Sequence, residues 1–305
     1  MGFERCHPAV NFIFFAAAVA GALFFRHPVF LAVAYVCAFI YSVKRNGIKS
    51  LVFNLVLLVF VVAFALYYGS YTHFGVTVLW RNFVGNNITV ESFVYGLVLG
   101  GIAASVMMWF SCIHSVFTAD KVVYLFGKVS PHLSLFLSIM LRMVPRIKKE
   151  AHKINTAQKG IGLGTDQGGF FRKIRNWIRI FSMMISWTIE AFGLASDSMR
   201  SRGSLLRGRK AFSIYRFDNR DRSFVIAMFF LMTVTVMGIL LRQNFASYSP
   251  RLLFAAVTPL SYVFYAAYAV FLLMPFGLEI WTEYRFRRSI SAMPSNIALE
   301  TEETF

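Results

Sequence analysis

Apolar residues along this chain fall into long runs, most of them near the length of a membrane crossing. The runs cover residues 10–25, 29–43, 51–68, 92–116, 224–241 and 253–278. A crossing helix needs ~20 apolar residues, so the first two runs are short and predict tilted or shielded helices. Arg26-His27-Pro28 reads as a tight turn between them, and Lys44-Arg45-Asn46-Gly47-Ile48-Lys49 as a basic loop after the second. Residues 69–89 are polar and aromatic, with Tyr71 and Trp80, which predicts an external loop at an aromatic belt. The first run, with Arg5 before it and Ala16-Ala17-Ala18 within it, also matches a signal peptide. The further runs directly behind it favour a first membrane helix.

In the fourth run Gly96, Gly100 and Ala104 recur every four residues, a ladder of small side chains that lets another helix approach closely. It serves either packing within the chain or a docking face for a second membrane protein. The sixth run holds Pro259 and Pro275, which predict bends. After it, Arg285, Arg287 and Arg288, then Glu300, Glu302 and Glu303, read as a polar, poorly ordered tail.

The pattern changes between residues 118 and 222. Thr118-Ala119-Asp120 offers a cap for a short helix through Phe126, punctuated by Gly127. Ser130 suits an N-cap and Pro131 the first position of the next helix, which runs from His132 to Gly160. It is apolar nearly all round to Leu141 and basic from Arg142, with Pro145 predicting a kink at the change. A second helix runs from Phe170 to about Arg200. Its polar positions, Arg172, Arg175, Arg179, Ser182, Ser186, Glu190, Gly193, Asp197 and Arg200, form one narrow stripe. The apolar face, including Trp177, Phe181, Met184 and Trp187, is too wide for a soluble surface helix and suits the membrane interface. It is either an ordinary interfacial helix or a lever, with a membrane partner on its apolar face and a soluble partner at its end. The end reads Ser201-Arg202-Gly203. Glycine closes a helix at positive φ. Arg202 there either captures a partner carboxylate through its planar fork or offsets the helix dipole.

Composition agrees with a membrane protein: 57% hydrophobic, 17% aromatic and 15% charged residues leave too little polar surface for a soluble domain of 305 residues. The net charge of +17 would point to nucleic acid in a soluble protein, but the cations flank apolar runs and obey the positive-inside rule, so no nucleic-acid partner is expected. With the N-terminus inside and the long central stretch left out, inner segments hold seven Lys and Arg against four outside. Twenty more lie between Lys121 and Arg222. Cys6, Cys37 and Cys112 have neither metal nor disulfide spacing and read as small buried hydrophobes.

Several functions are disfavoured. Ionisable residues in the spans are confined to edges (Glu91, His114 and Glu279), against a proton pump or a self-sufficient carrier. The turn Gly162-Leu163-Gly164-Thr165-Asp166-Gln167-Gly168-Gly169 lacks the phosphate-loop pattern and follows no strand, so it reads as a flexible interhelix connection. No Walker A sequence occurs elsewhere, and no nucleophile or metal constellation is present, so no enzyme activity is expected. His7, His27, His73, His114, His132 and His152 are dispersed and read as incidental.

The order of motifs from about Thr118 to Asp221 resembles the T component of energy-coupling-factor (ECF) transporters, the family that includes CbiQ-type cobalt permeases. The family's Arg-x-x-Pro stands here as Arg142-Met143-Val144-Pro145. Its Ala-Gln-x-Ala-Arg-Gly stands as Ala157-Gln158-Lys159-Gly160-Ile161-Gly162, with Ile161 in place of the arginine. Its Gly-Gly followed by apolar residues and basic pairs is Gly168-Gly169-Phe170-Phe171-Arg172-Lys173. Its second Ala-Arg-Gly is Ser201-Arg202-Gly203, with Arg220-Asp221 before the next span. His7-Pro8 and the run of short spans also look like the family.

The resemblance implies an all-α integral membrane protein of about six transmembrane helices plus long cytoplasmic or interfacial coupling helices. Its regions would be 1–117, 118–222, 223–281 and a tail at 282–305. It implies a coupling subunit in a bacterial or archaeal cytoplasmic membrane, carrying ATPase motion to a small substrate-binding (S) subunit for vitamin or metal-ion uptake. Two cytoplasmic ATPases would dock on Ser201, Arg202 and Gly203 and on Lys159, Gly160, Ile161 and Gly162. Arg142, Pro145, Gly168 and Gly169 would shape the coupling helices. Trp177, Phe181, Met184, Trp187, Gly96 and Gly100 would face the S subunit. No cofactor would be bound directly, with ATP and Mg held by the ATPases. Ile161 implies unequal tips and an asymmetric ATPase pair, with Lys159 a partial substitute lacking the arginine fork. The alternative is a stand-alone carrier or channel whose basic segment lies on anionic lipid.

Overall fold

The computed structural model describes residues 2–72, 75–81, 87–203, 206, 215, 217–249 and 251–291. Among them are nine α-helices: α1 (Pro8–Phe24), α2 (Pro28–Asn46), α3 (Ile48–Tyr71), α4 (Val90–Val116), α5 (Ala119–Val129), α6 (Pro131–Gly160), α7 (Phe170–Ser201), α8 (Asn219–Leu240) and α9 (Pro259–Ser291). Two small antiparallel pairs join them: β1 (Val78–Arg81) with β2 (Asn87–Thr89), and β3 (Ala246–Ser247) with β4 (Leu253–Phe254). Among the described residues, six helices are long and apolar enough to cross a membrane, namely α2, α3, α4, α7, α8 and α9. The chain is therefore an all-α integral membrane protein. Six spans were expected, but their membership differs: α1 has only 17 residues and falls short, while α7 meets the length and composition of a span.

The chain divides into two compact units, residues 1–118 with 215–305, and residues 119–214. In the first unit, α1, α2, α4, α8 and α9 bury an aromatic core that includes Phe14, Phe15, Phe30, Tyr41, Trp109, Phe224 and Tyr268. Phe14 and Phe15 lie edge-on to Trp109 at 6.0 and 6.2 Å. Cys6, Cys37 and Cys112 are all buried, as expected of small hydrophobes.

Several boundaries correct the sequence reading. The basic loop after α2 is a break of one residue: Lys44 and Arg45 lie in the last turn of α2, Lys49 in the first turn of α3, and Gly47 at φ 68 turns the chain between them. Gly127 does not punctuate; α5 runs through it to Val129. Leu253 belongs to β4, and α9 begins at Pro259, whose fixed φ suits a first turn. The stretch placed in a disordered tail is helical to Ser291, including Arg285, Arg287 and Arg288. Pro145 and Pro275 lie inside α6 and α9. His73 and the acidic residues Glu300, Glu302 and Glu303 lie outside the described residues.

Two histidines are not incidental. His7 and His27 each precede a proline and cap a helix, their Nδ1 atoms accepting from the backbone N–H groups of Ala9 (3.3 Å) and Val29 (3.4 Å). An imidazole acceptor there satisfies one of the donors that every helix start leaves orphaned.

A polar cluster ties helix ends together in this unit. Glu279 of α9 is 7% exposed and lies 3.8 Å from Arg45 Nη1, with the Tyr41 hydroxyl donating to it at 3.5 Å. Arg45 also pairs with Glu4 and donates to Ser115 at 3.2 Å, and Lys44 pairs with Glu283 at 2.8 Å. A buried carboxylate is tolerated where a cation and hydrogen bonds replace its water.

Candidate functional site

The second unit is built on α6 and α7. The inner face of α7 carries its covered side chains: Asn176, Ile180 and Ala191 are buried, and Met183, Met184, Trp187, Thr188 and Phe192 are half-buried. These positions recur at three- and four-residue steps, one helical face. Contacts with α6 match it. The Gln158 amide approaches Met183 Sδ at 3.8 Å, and the Arg146 guanidinium sits 5.5 Å above the Trp187 ring. A second apolar stripe of α7 has no cover among the described residues: Ile174, Trp177, Ile178, Phe181, Ile185 and Ile189 are all exposed, and Trp177 stacks on Phe181 at 5.6 Å. The wide apolar face thus splits into a half that meets α6 and a half that is open. Of the four α7 residues expected to face a partner, Trp177 and Phe181 are on the open half, and Met184 and Trp187 on the half-buried side.

Hydrogen bonds pin the connection between α6 and α7. Asn176, 2% exposed, donates from α7 to the Gly164 carbonyl at 3.0 Å. Asn155 of α6 accepts from the backbone N–H and hydroxyl of Thr165, both at 3.2 Å. Gln167 accepts from Gly164 N–H at 3.0 Å and donates to the Lys159 carbonyl at 3.3 Å. Lys159 pairs with Asp166 at 2.5 Å, and this ammonium holds the Asp166 carboxyl below the usual carboxylate range. Gly162 and Gly168 sit at φ 78 and 94, where only glycine is at ease. Lys159, offered as a stand-in for the missing arginine, is thus already engaged within the loop.

The two helix ends repeat one geometry. Ile161 caps α6 at φ −103, ψ 14 and Arg202 caps α7 at φ −84, ψ 8. Each is followed by a glycine at positive φ, Gly162 at 78 and Gly203 at 75. Gly162 N–H donates to the Lys159 carbonyl at 3.2 Å and Gly203 N–H to the Arg200 carbonyl at 3.0 Å, three residues back in both. Both cap side chains are exposed, Ile161 at 67%. Ser201 turns its hydroxyl back onto the Ser198 carbonyl at 2.9 Å, leaving Arg202 as the outward polar group. Gln158, three residues before Ile161, touches Met183, and at ~1.5 Å per residue Arg202 lies roughly 28 Å further along α7. The unit therefore presents two equivalent, well-separated tips of different chemistry.

Other expected site residues fall elsewhere. Arg142 and Pro145 are exposed on α6, and Gly169 is the N-cap of α7. Gly96 and Gly100 are not an open surface. A Cβ on Gly96 would stand 2.9 Å from Ala65 Cα, and one on Gly100 3.3 Å from Val61 Cα, so α3 already occupies the ladder. Their assignment to a partner face is corrected, because the close approach they permit is made within the chain. Asn155 and Asn176 escaped the sequence reading. The one available signal was that Asn176 is a polar residue outside the charged stripe of α7.

No protein-family model matches the chain. Over 105 residues, 33% of the chain, it is 30% identical to the energy-coupling factor transporter transmembrane protein EcfT of Streptococcus thermophilus. The match spans 39% of that relative, about two fifths of its length. This similarity and the apolar helices support the T-component resemblance carried by the motifs.

Proposed function

We propose that the chain is the transmembrane coupling subunit of an ECF-type importer, set in a cytoplasmic membrane with its N-terminus inside. Two ATPases, holding ATP and Mg, dock on the tips of α6 and α7. Their closing and opening moves the hairpin, and the hairpin reorients a small membrane subunit that carries a vitamin or metal ion. The observation that carries this reading is the repeated cap at Ile161 and Arg202, with Arg202 roughly 28 Å along α7 from the point where Gln158 meets Met183. Two equal caps fit two like-folded partners. Their unlike side chains fit an asymmetric pair: a carboxylate-lined receiver for Arg202 and an apolar one for Ile161. The pinned connection suits a lever, since force passes through a hairpin only if its turn does not yield. The open stripe of Trp177 and Phe181 is the face assigned to the substrate-binding subunit.

The test is affinity purification of the intact chain from its native membranes in mild detergent, with mass spectrometry of the eluate. Two ATPases and a small hydrophobic protein are expected. Recovery of the chain alone, with residues 130–203 open to protease, would return the stand-alone reading.

A further inference from the structure

Between α1, α8 and α9 lies a half-open apolar groove of about 180 Å³ lined by Ala17, Ala20, Gly21, Val236, Phe271 and Tyr268, among others. It exists because α1 presents small residues there, while the flanking Phe24 and Val236 are exposed at 77% and 42% on helices of a membrane protein. At its floor is a buried polar atom: Tyr268 is 2% exposed, and its hydroxyl has no hydrogen-bond partner among the described residues. That hydroxyl points at Gly21, standing 2.9 Å from where a Cβ on Gly21 would be. An orphaned hydroxyl in an apolar site is costly unless something fills its bond.

We infer that this groove holds one acyl chain of a membrane lipid, with the Tyr268 hydroxyl donating to the lipid's ester carbonyl. Three observations favour this occupant. At about 180 Å³ the groove is too small to enclose a turn of a partner helix, which with side chains is ~10 Å across. Its lining is apolar, as a hydrocarbon chain requires, and its one unmet need is a hydrogen-bond acceptor. Its exposed lining residues Phe24 and Ile239 lie at the ends of α1 and α8, the depth at which lipid ester groups sit. With 17 residues, α1 is roughly 26 Å long, shorter than the ~30 Å hydrocarbon core, so the ester region is drawn inward beside it towards Gly21. This site is independent of any coupling role.

The test uses the full chain in nanodiscs of phosphatidylglycerol and phosphatidylethanolamine, extracted into mild detergent, with retained lipids counted by native mass spectrometry. Wild type is expected to keep one ester-linked lipid. Tyr268→Phe should weaken its retention roughly three- to tenfold, the worth of one hydrogen bond, and Ala20→Phe should abolish it by filling the groove. With ether-linked lipids, which lack the carbonyl, wild type and Tyr268→Phe should retain lipid equally. Thermal unfolding in lipid-free detergent separates folding from binding: without the lipid, removing an unpaired hydroxyl is neutral or stabilising. Equal retention of ester lipid by wild type and Tyr268→Phe overturns the inference. So does a photo-crosslinker at position 20 that captures a partner protein in place of lipid.

Discussion

Ile161 and Arg202 end their helices in the same backbone conformation, each with a left-handed glycine behind it. An exposed isoleucine at 67% gains nothing from water, and an arginine on a helix tip has five donors to place. The two positions are alike in shape and opposite in chemistry, and the proposed function turns on that difference.

The pinned connection has a prediction of its own. Asn176→Ala removes the buried donor to Gly164 and leaves that carbonyl unmet, at a local cost of about 1–3 kcal/mol. Amide hydrogen exchange across residues 163–168 should quicken while exchange in the middle of α7 is unchanged. If the loop exchanges at the wild-type rate, the hydrogen bond is not what orders it.

The Lys159–Asp166 pair adds a pH dependence. Lys159 lowers the carboxyl of Asp166, so the pair's contribution is present above the ordinary carboxylate pKa and is lost as pH falls through the lowered value. Loop exchange, after correction for intrinsic rates, should therefore rise only in acid. Asp166→Asn should flatten that rise and leave the melting temperature unmoved, since the pair is exposed. A rise that survives in Asp166→Asn would assign it to another group.

The glycine ladder of α4 should resist substitution. Gly96→Ala puts a methyl 2.9 Å from Ala65 Cα, forcing α3 and α4 apart at a cost of about 1–3 kcal/mol. A lower apparent melting temperature in detergent checks this. An unchanged temperature would mean that α3 does not bear on the ladder.

Arg45→Ala leaves the buried carboxylate of Glu279 without its cation and should destabilise the first unit by about 3 kcal/mol. Arg45→Ala with Glu279→Gln should recover part of the loss, because no charge is then stranded. Thermal unfolding of the single and double variants tests it; equal losses would remove the pair from the account.

Arg242 stands at φ 56, with its N–H bonded to the Ile239 carbonyl at 2.9 Å and that of Gln243 to Gly238 at 3.0 Å. This is the helix-ending turn that glycine serves best. Arg242→Gly should stabilise by about 1 kcal/mol, seen as a raised melting temperature. A fall would show that the arginine side chain contributes more than the strain costs.

Much of the helical order was legible because membrane spans and the α6–α7 pair announce themselves by run length and stripe. The cap at Gly203 was legible too, since glycine after the last periodic residue has one common use. What escaped depends on tertiary partners. Whether the Gly96 ladder meets α3 or another protein cannot be read from spacing. Asn176 looks like any polar residue until Gly164 is brought to it. His7 and His27 looked incidental because histidine is an uncommon cap, although the repeated His-Pro pairs marked both helix starts. The pairs β1–β2 and β3–β4 are two to four residues long, too short to leave a periodic trace.

The most direct measurement is a count of ATPases that co-purify with tip variants of the intact chain. Under the proposed docking, Arg202 enters a charge pair that assembly buries, so Arg202→Glu would cost at least ~2–5 kcal/mol of binding. It should release one ATPase, and Ile161→Glu should release the other. Arg242→Glu, away from both tips, should keep both. Equal recovery of both ATPases from Arg202→Glu and Arg242→Glu would contradict the account.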